Sequence, residues 1–235
     1  IKNKKNFIFF DVGSPPPKRF SSYYQSGPLS FEYSSDSHKI ITNCGFGSLI
    51  SKKGEFLSRL TSAQSTLCLN DYSVVEFEKN KLINEAFGTS IKNSFKVYDI
   101  THEVREGETS SQATHDAYEK KFGYVHKRKI KLKKDGNLEG VDELIKKKGN
   151  TNIDFSIRFH LYPDISAVQT ISGDSILIQV KKNKPLFFSS VGNKITLEKS
   201  LFFGRNKILN NFCITISGKT NAEDTIINWN IKKDK

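Results

Sequence analysis

Three groups of side chains in this 235-residue chain have the types and spacing to do chemistry. The first lies in Tyr124–Lys133. Tyr124, His126, Arg128, Ile130 and Leu132 alternate with Val125, Lys127, Lys129, Lys131 and Lys133, the period-two pattern of a half-buried strand. The less charged face carries His126 and Arg128 among apolar residues, where a strand that only builds core has no use for them. An imidazole moves protons near neutral pH. A guanidinium forks onto a carboxylate, whether the protein's own or a ligand's. The second group, His115, Asp116 and Tyr118, reads either as a ligand-contacting trio or as a strand-end turn in which Asp116 bonds the backbone. The third lies on Phe155–Tyr162, where Phe155, Ile157, Phe159 and Leu161 alternate with Ser156, Arg158, His160 and Tyr162. Arg158, His160 and Tyr162 offer a cation, an imidazole and a stacking ring. Without a ligand they form an ordinary outward polar face.

The elements that must position these groups are strands. Strand-like runs recur between clusters of Gly, Asn, Asp and Ser, and helical signals are scarce. The runs are Phe7–Val12, Leu29–Ser34, Lys39–Asn43, Ser65–Leu69, Ser73–Glu78, Phe95–His102, Ser175–Val180, Pro185–Ser190, Thr196–Phe203, Phe212–Ser217 and Thr225–Ile231. Asp135-Gly136 supplies the positive-φ position of a hairpin turn after Lys133. Ser14-Pro15-Pro16-Pro17 enforces an extended, unpaired segment. Val141–Lys148 reads as a short helical turn. Trp229, between Ile227 and Ile231 on one strand face, reads as core. No repeat or linker interrupts the pattern, so residues 1–235 read as one all-β, antiparallel sandwich domain with little helix.

Composition narrows the function classes. The net charge of +12, from 37 Lys+Arg against 25 Asp+Glu, favours an acidic partner. Eleven Lys/Arg against five acids fall between Glu119 and Lys148. These runs either form solvated faces or steer a polyanion. A nucleic-acid surface would interleave aromatic and basic residues, but the lysines of Lys127–Lys133 occupy a face without aromatics, so nucleic acid ranks last. Cys44, Cys68 and Cys213 show neither metal spacing nor a paired framework and read as small buried thiols. His38 and His102 read as surface residues. No stretch is long enough to span a membrane, and Phe7–Phe10 is too short for a signal-peptide core. A chain that begins at Ile1 is expected to be part of a longer one.

Several short stretches recur in order along a known family. They are Phe10-Asp11-Val12-Gly13, Gly27-Pro28-Leu29-Ser30-Phe31-Glu32, Asn43-Cys44-Gly45, Ser65-Thr66-Leu67, His115-Asp116-Ala117-Tyr118, Phe122-Gly123 with His126 and Arg128, Leu138-Glu139-Gly140-Val141-Asp142, and Arg158-Phe159-His160-Leu161-Tyr162-Pro163. Together they resemble the C-terminal β-sandwich domain of heparinase II/III-like polysaccharide lyases in the alphaproteobacterial form. The resemblance implies stacked antiparallel sheets that pack against an upstream α/α-toroid domain, with an acidic polysaccharide in the cleft between them. It implies β-elimination, in which a base removes the C5 proton of a uronate and the glycosidic oxygen leaves C4. It also implies a location in the cell envelope or periplasm.

The same resemblance assigns roles. Tyr23 falls where some heparinase-type lyases carry a catalytic histidine, so it stands as base or acid. His126 and His160 would assist proton transfer. His115, Tyr118, Arg128, Arg158 and Tyr162 would contact substrate. Some members hold a metal through two histidines and an aspartate, and here those positions are Gln25, Asn43 and Gln64. Neutral amides are poor zinc ligands, so neither a metal nor another cofactor is expected, and the three amides could form a hydrogen-bonded cluster instead. The rival reading is a binding module for acidic glycan that has lost its metal and catalytic histidines.

Overall fold

The structure, a computed structural model, describes residues 1–3, 5–180 and 184–233. Two antiparallel sheets face each other. The first contains β1 (Lys2–Asn3), β2 (Asn6–Phe10), β3 (Phe31–Ser35), β4 (His38–Thr42), β5 (Leu67–Leu69), β10 (Asp154–Leu161), β14 (Lys194–Phe203) and β15 (Ile208–Lys219). Its order is β1-β2-β3-β4-β10-β15-β14, with β5 sharing β10. The second contains β6 (Val97–Arg105), β7 (Glu108–His115), β8 (Tyr124–Lys133), β9 (Leu138–Lys146), β11 (Ser166–Gln169), β12 (Ser175–Gln179), β13 (Leu186–Ser189) and β16 (Thr225–Lys233). Its order is β11-β12-β13-β16-β9-β8-β7-β6.

The alternation read from the sequence sets which side chains meet between the sheets. Tyr124, His126, Arg128, Ile130 and Leu132 of β8 are buried, and the lysines between them are not. Phe155, Ile157, Phe159 and Leu161 of β10 are buried in the same way. The centre of the core is aromatic. Trp229 stacks on Phe31 at 5.4 Å between ring centroids and meets Phe159 edge-on at 4.9 Å. It also lies over Gly140, its direct partner on β9. A Cβ on Gly140 would collide with the indole. Gly140→Ala is therefore expected to cost about 1–3 kcal/mol by overpacking and to lower the thermal midpoint by several degrees. An unchanged midpoint would refute the fit.

The Asp135-Gly136 turn forms as expected, with Gly136 at φ 89°. Val141–Lys148 does not turn into a helix. Leu138, Gly140, Asp142 and Leu144 all bury on β9, and the charged Asp142 in that row interrupts the apolar alternation. Ser73–Glu78 joins neither sheet; Phe77 bridges Ile91 alone. β11 has no counterpart among the sequence runs. Three helices were also missed. In α1 (Lys52–Ser58) the Ser51 hydroxyl accepts the Gly54 N–H, and in α2 (Lys81–Phe87) Asn80 accepts from Leu82 and Ile83. Both are short capped helices. The third, α3 (Glu119–Phe122), ends at Gly123 in the left-handed region.

Candidate functional site

β7, β8, β9 and β16 lie side by side, and their inner faces bring five polar side chains into the core. Ala117 N–H donates to His115 Nδ1 at 3.2 Å. His115 therefore carries its proton on Nε2, which meets His126 Nδ1 at 3.1 Å. His126 Nε2 in turn lies 2.6 Å from Asp142 Oδ1. The Arg128 fork closes on the same carboxylate, Nε to Oδ1 at 2.7 Å and Nη2 to Oδ2 at 3.1 Å. Trp229 Nε1 donates to Oδ2 at 2.7 Å. All five residues are buried. The polarity of the chain is thus one-way, from a backbone amide through two neutral imidazoles to a carboxylate balanced by one guanidinium.

The titration behaviour follows from these contacts. Burial would raise the Asp142 carboxyl, but the Arg128 charge and the His126 hydrogen bond hold it well below the usual range. Burial lowers His126 against the pull of Asp142. Burial, then the neighbouring His126, lowers His115 well below its ordinary value.

Arg128 also reaches the opposite sheet. Its Nη1 donates to the carbonyls of Leu29 at 2.8 Å and Ser65 at 2.9 Å. These carbonyls belong to the two segments that carry Gln25 and Gln64. Asn43 Oδ1 accepts the Ser65 N–H at 2.8 Å, and its Nδ2 faces Ser30 Oγ at 3.4 Å. Gln64 Nε2 donates to Ser58 O at 2.8 Å, and Gln25 Nε2 donates to Gly45 O at 3.2 Å. The three amides bond to backbone and hydroxyl groups rather than forming the expected mutual cluster. As a donor set without imidazole or carboxylate they do not fit a divalent metal.

The outer candidates are differently placed. Tyr23 is 70% exposed and touches Phe46 edge-on. Its loop is clamped by Arg59, buried, whose Nε and Nη2 donate to Tyr24 O at 2.9 Å and Ser21 O at 2.8 Å. Arg158 is half-buried and meets Ser156 Oγ at 2.7 Å and Asp71 at 3.1 Å. Tyr162 packs on Phe202.

The structure changes the expected roles of five residues. His115, Tyr118, His126, Arg128 and His160 are buried, so none of them presents an atom to a ligand. Tyr118 spends its hydroxyl on Leu67 O at 2.8 Å. His160 was placed on an open polar stripe, but the 61–66 segment covers it. Its Nε2 lies 3.0 Å from Ser62 O and its Nδ1 3.3 Å from Cys44 Sγ, and burial lowers its pKa to about 4. Sequence reasoning missed Asp142 and Arg59. Alternation through Leu138–Leu144 was the available signal for the first. Nothing in the local pattern marked the second.

The arrangement is a loop platform, 21–30, 43–45 and 64–66, braced from inside by Arg128. The family described as heparinase II/III-like, C-terminal, matches residues 1–230. The chain belongs to that family. No curated protein matches it. Among solved structures, heparan sulfate lyase HepC from Pedobacter heparinus is 15% identical with a TM-score of 0.71, covering 90% of this chain and 31% of that one. A mutant of the same lyase gives 14% and 0.74, covering 97% and 34%. A structure described as heparinase III gives 14% and 0.67, covering 91% and 31%. The two-sheet fold of the heparinase II/III-like chain is thus shared with these lyases, and the chain spans about one third of their length.

Proposed function

We propose that the chain is the sandwich part of a polysaccharide lyase acting on a uronate-containing polysaccharide, and that its loop platform forms one wall of the substrate cleft. The observation that carries this reading is Tyr23. It is the one exposed residue of the proposed catalytic set, it stands on a loop held at both ends by Arg59, and it sits in a fold shared with heparan sulfate lyases. In the elimination a base takes the C5 proton, the electrons form the C4–C5 double bond, and the C4–O bond breaks onto an oxygen that is protonated. A positioned phenol can serve as base or acid. His126 and Arg128 act through the Leu29 and Ser65 backbone that Arg128 holds, not on the sugar.

Phe20, Leu49 and Leu82 stand exposed on short helical elements. Exposed apolar side chains suit contact with a further domain, which in this reading is an upstream α/α toroid of one parent polypeptide. The reading also places that parent in the cell envelope or periplasm. Among the described residues no helix is long and apolar enough to cross a membrane.

Tyr23→Phe in the parent polypeptide should reduce the unsaturated-uronate absorbance released from acidic glycan by about 100-fold or more. Full activity in that variant would remove Tyr23 from the chemistry. The amides at Gln25, Asn43 and Gln64 favour a second reading, a binding module without turnover. Retained glycan binding with no absorbance change on any acidic glycan would select it.

A further inference from the structure

Each sheet ends in two edge strands, and three of these four are short or covered. β1 has two residues and β11 has four. β14 is met by Cys44, whose carbonyl accepts the Phe203 N–H at 2.6 Å, and by Gln169, whose Nε2 donates to Ile195 O at 3.0 Å. β6 differs. It is nine residues long and closes its sheet with no further strand beside it among the described residues. Ser14 Oγ accepts the Val97 N–H at its start, and Tyr98 to Arg105 are all exposed. A long open edge is a template for another strand. We infer that β6 pairs with β6 of a second copy of this chain, antiparallel about a two-fold axis at His102, so that two eight-stranded sheets become one. The inference does not rest on the glycan reading.

The hydrogen-bond phase of the hairpin decides which residues can pair. The chain turns from β6 to β7 through Glu106 and Gly107, with Gly107 at φ 86° and Arg105 opposite Glu108. The pair that flanks a two-residue turn exchanges both of its backbone bonds. Arg105, Glu103 and Thr101 therefore spend their backbone groups on β7, and those of Val104, His102 and Ile100 point to the open edge.

The side chains select the register. A two-fold pair matches each residue i with j and j with i. Centred on His102, it sets Ile100 against Val104 of the other copy, twice. Ile100 is 53% and Val104 73% exposed, so both lose apolar surface to water only in a pair. The same register sets Asp99 against Arg105, again twice, and Glu103 against Thr101. Centred on Glu103, the pair would bring two carboxylates face to face. Centred on Val104, it would leave Ile100 uncovered. Asp99, at φ 51°, lies in the bulge that shifts β6 against β7 between Tyr98 and Thr101. Regular pairing thus runs from Ile100 to Val104, and the Asp99–Arg105 contacts close its two ends.

The test is sedimentation of the 235-residue chain over a concentration series, which should show a monomer–dimer equilibrium. Val104→Lys, at an exposed position, should lower the association constant about tenfold or more at an unchanged thermal midpoint. Arg105→Glu should do the same by facing Asp99 with a second acid. Adding Asp99→Asn to Arg105→Glu should recover part of that loss, since Asn tolerates the left-handed region as Asp does. Ile226→Lys, exposed on β16 of the same sheet, should leave association unchanged. A chain that stays monomeric throughout would overturn the inference. So would a dimer that Val104→Lys and Arg105→Glu leave intact, or one that Ile226→Lys breaks. No recovery on adding Asp99→Asn would overturn the register centred on His102.

Discussion

Asp142→Ala is expected to destabilise the chain by about 3–5 kcal/mol, because it strips the counter-charge from a buried guanidinium. Domains of this size shift by roughly 2–4 °C per kcal/mol, which gives a fall of about 6–20 °C in the thermal midpoint. Asp142 accepts from His126, from Arg128 twice and from Trp229. After the substitution Arg128 keeps only the Leu29 and Ser65 carbonyls, which solvate the cation without neutralising it. The loss is a large share of a typical total stability of about 5–15 kcal/mol.

A double-mutant cycle separates this cause from simple loss of packing. Arg128→Met leaves the Asp142 charge uncompensated, and His126 should then take up a proton to balance it. Combining Arg128→Met with Asp142→Leu removes both charges. The double variant should therefore cost clearly less than the sum of the two single changes, since each single change leaves a lone buried ion and the double variant leaves none. It should still cost something, because the Leu29 and Ser65 carbonyls and the Trp229 N–H lose their partners. Additive losses would mean that the four groups do not act as one electrostatic unit.

The sandwich was legible in the sequence because burial on one face writes a period of two, and β8 and β10 show it without interruption. β9 escaped because its buried row includes Asp142, and polarity hides a core position whose partner lies on another strand. The sequence placed His126 and Arg128 on the inner face correctly. It could not show that the acid they pair with is the protein's own, since that contact joins residues 14 and 16 positions apart across a hairpin. His160 escaped for a related reason: the alternation puts it outside the sheet, and only the chain path at 61–66 covers it. Arg59 was silent because its partners, Tyr24 and Ser21, are backbone carbonyls of a distant loop, and backbone acceptors leave no residue signature.

Acid should destabilise the chain progressively from about pH 6.5 downward, above the range in which its carboxylates protonate. His115, His126 and His160 are all buried, and burial lowers each pKa, that of His160 to about 4. An unfolded histidine titrates near 6.5. Between that value and the folded pKa the unfolded state binds more protons than the native one, so stability rises with pH across this window and is lost as pH falls through it. Between that value and about 4 His160 removes about 1.4 kcal/mol per pH unit, and His115 and His126 act in the same direction. Asp142, lowered in the fold, behaves differently: its contribution is complete above about 3.8 and is lost only below that. Urea midpoints measured from pH 7.5 to 5 should therefore fall, and His160→Gln should make the fall shallower while leaving the rest to the His115–His126 pair. A midpoint that stays level across that range would mean that the buried imidazoles accept protons in the folded state, and the one-way chain of hydrogen bonds into Asp142 would have to be abandoned.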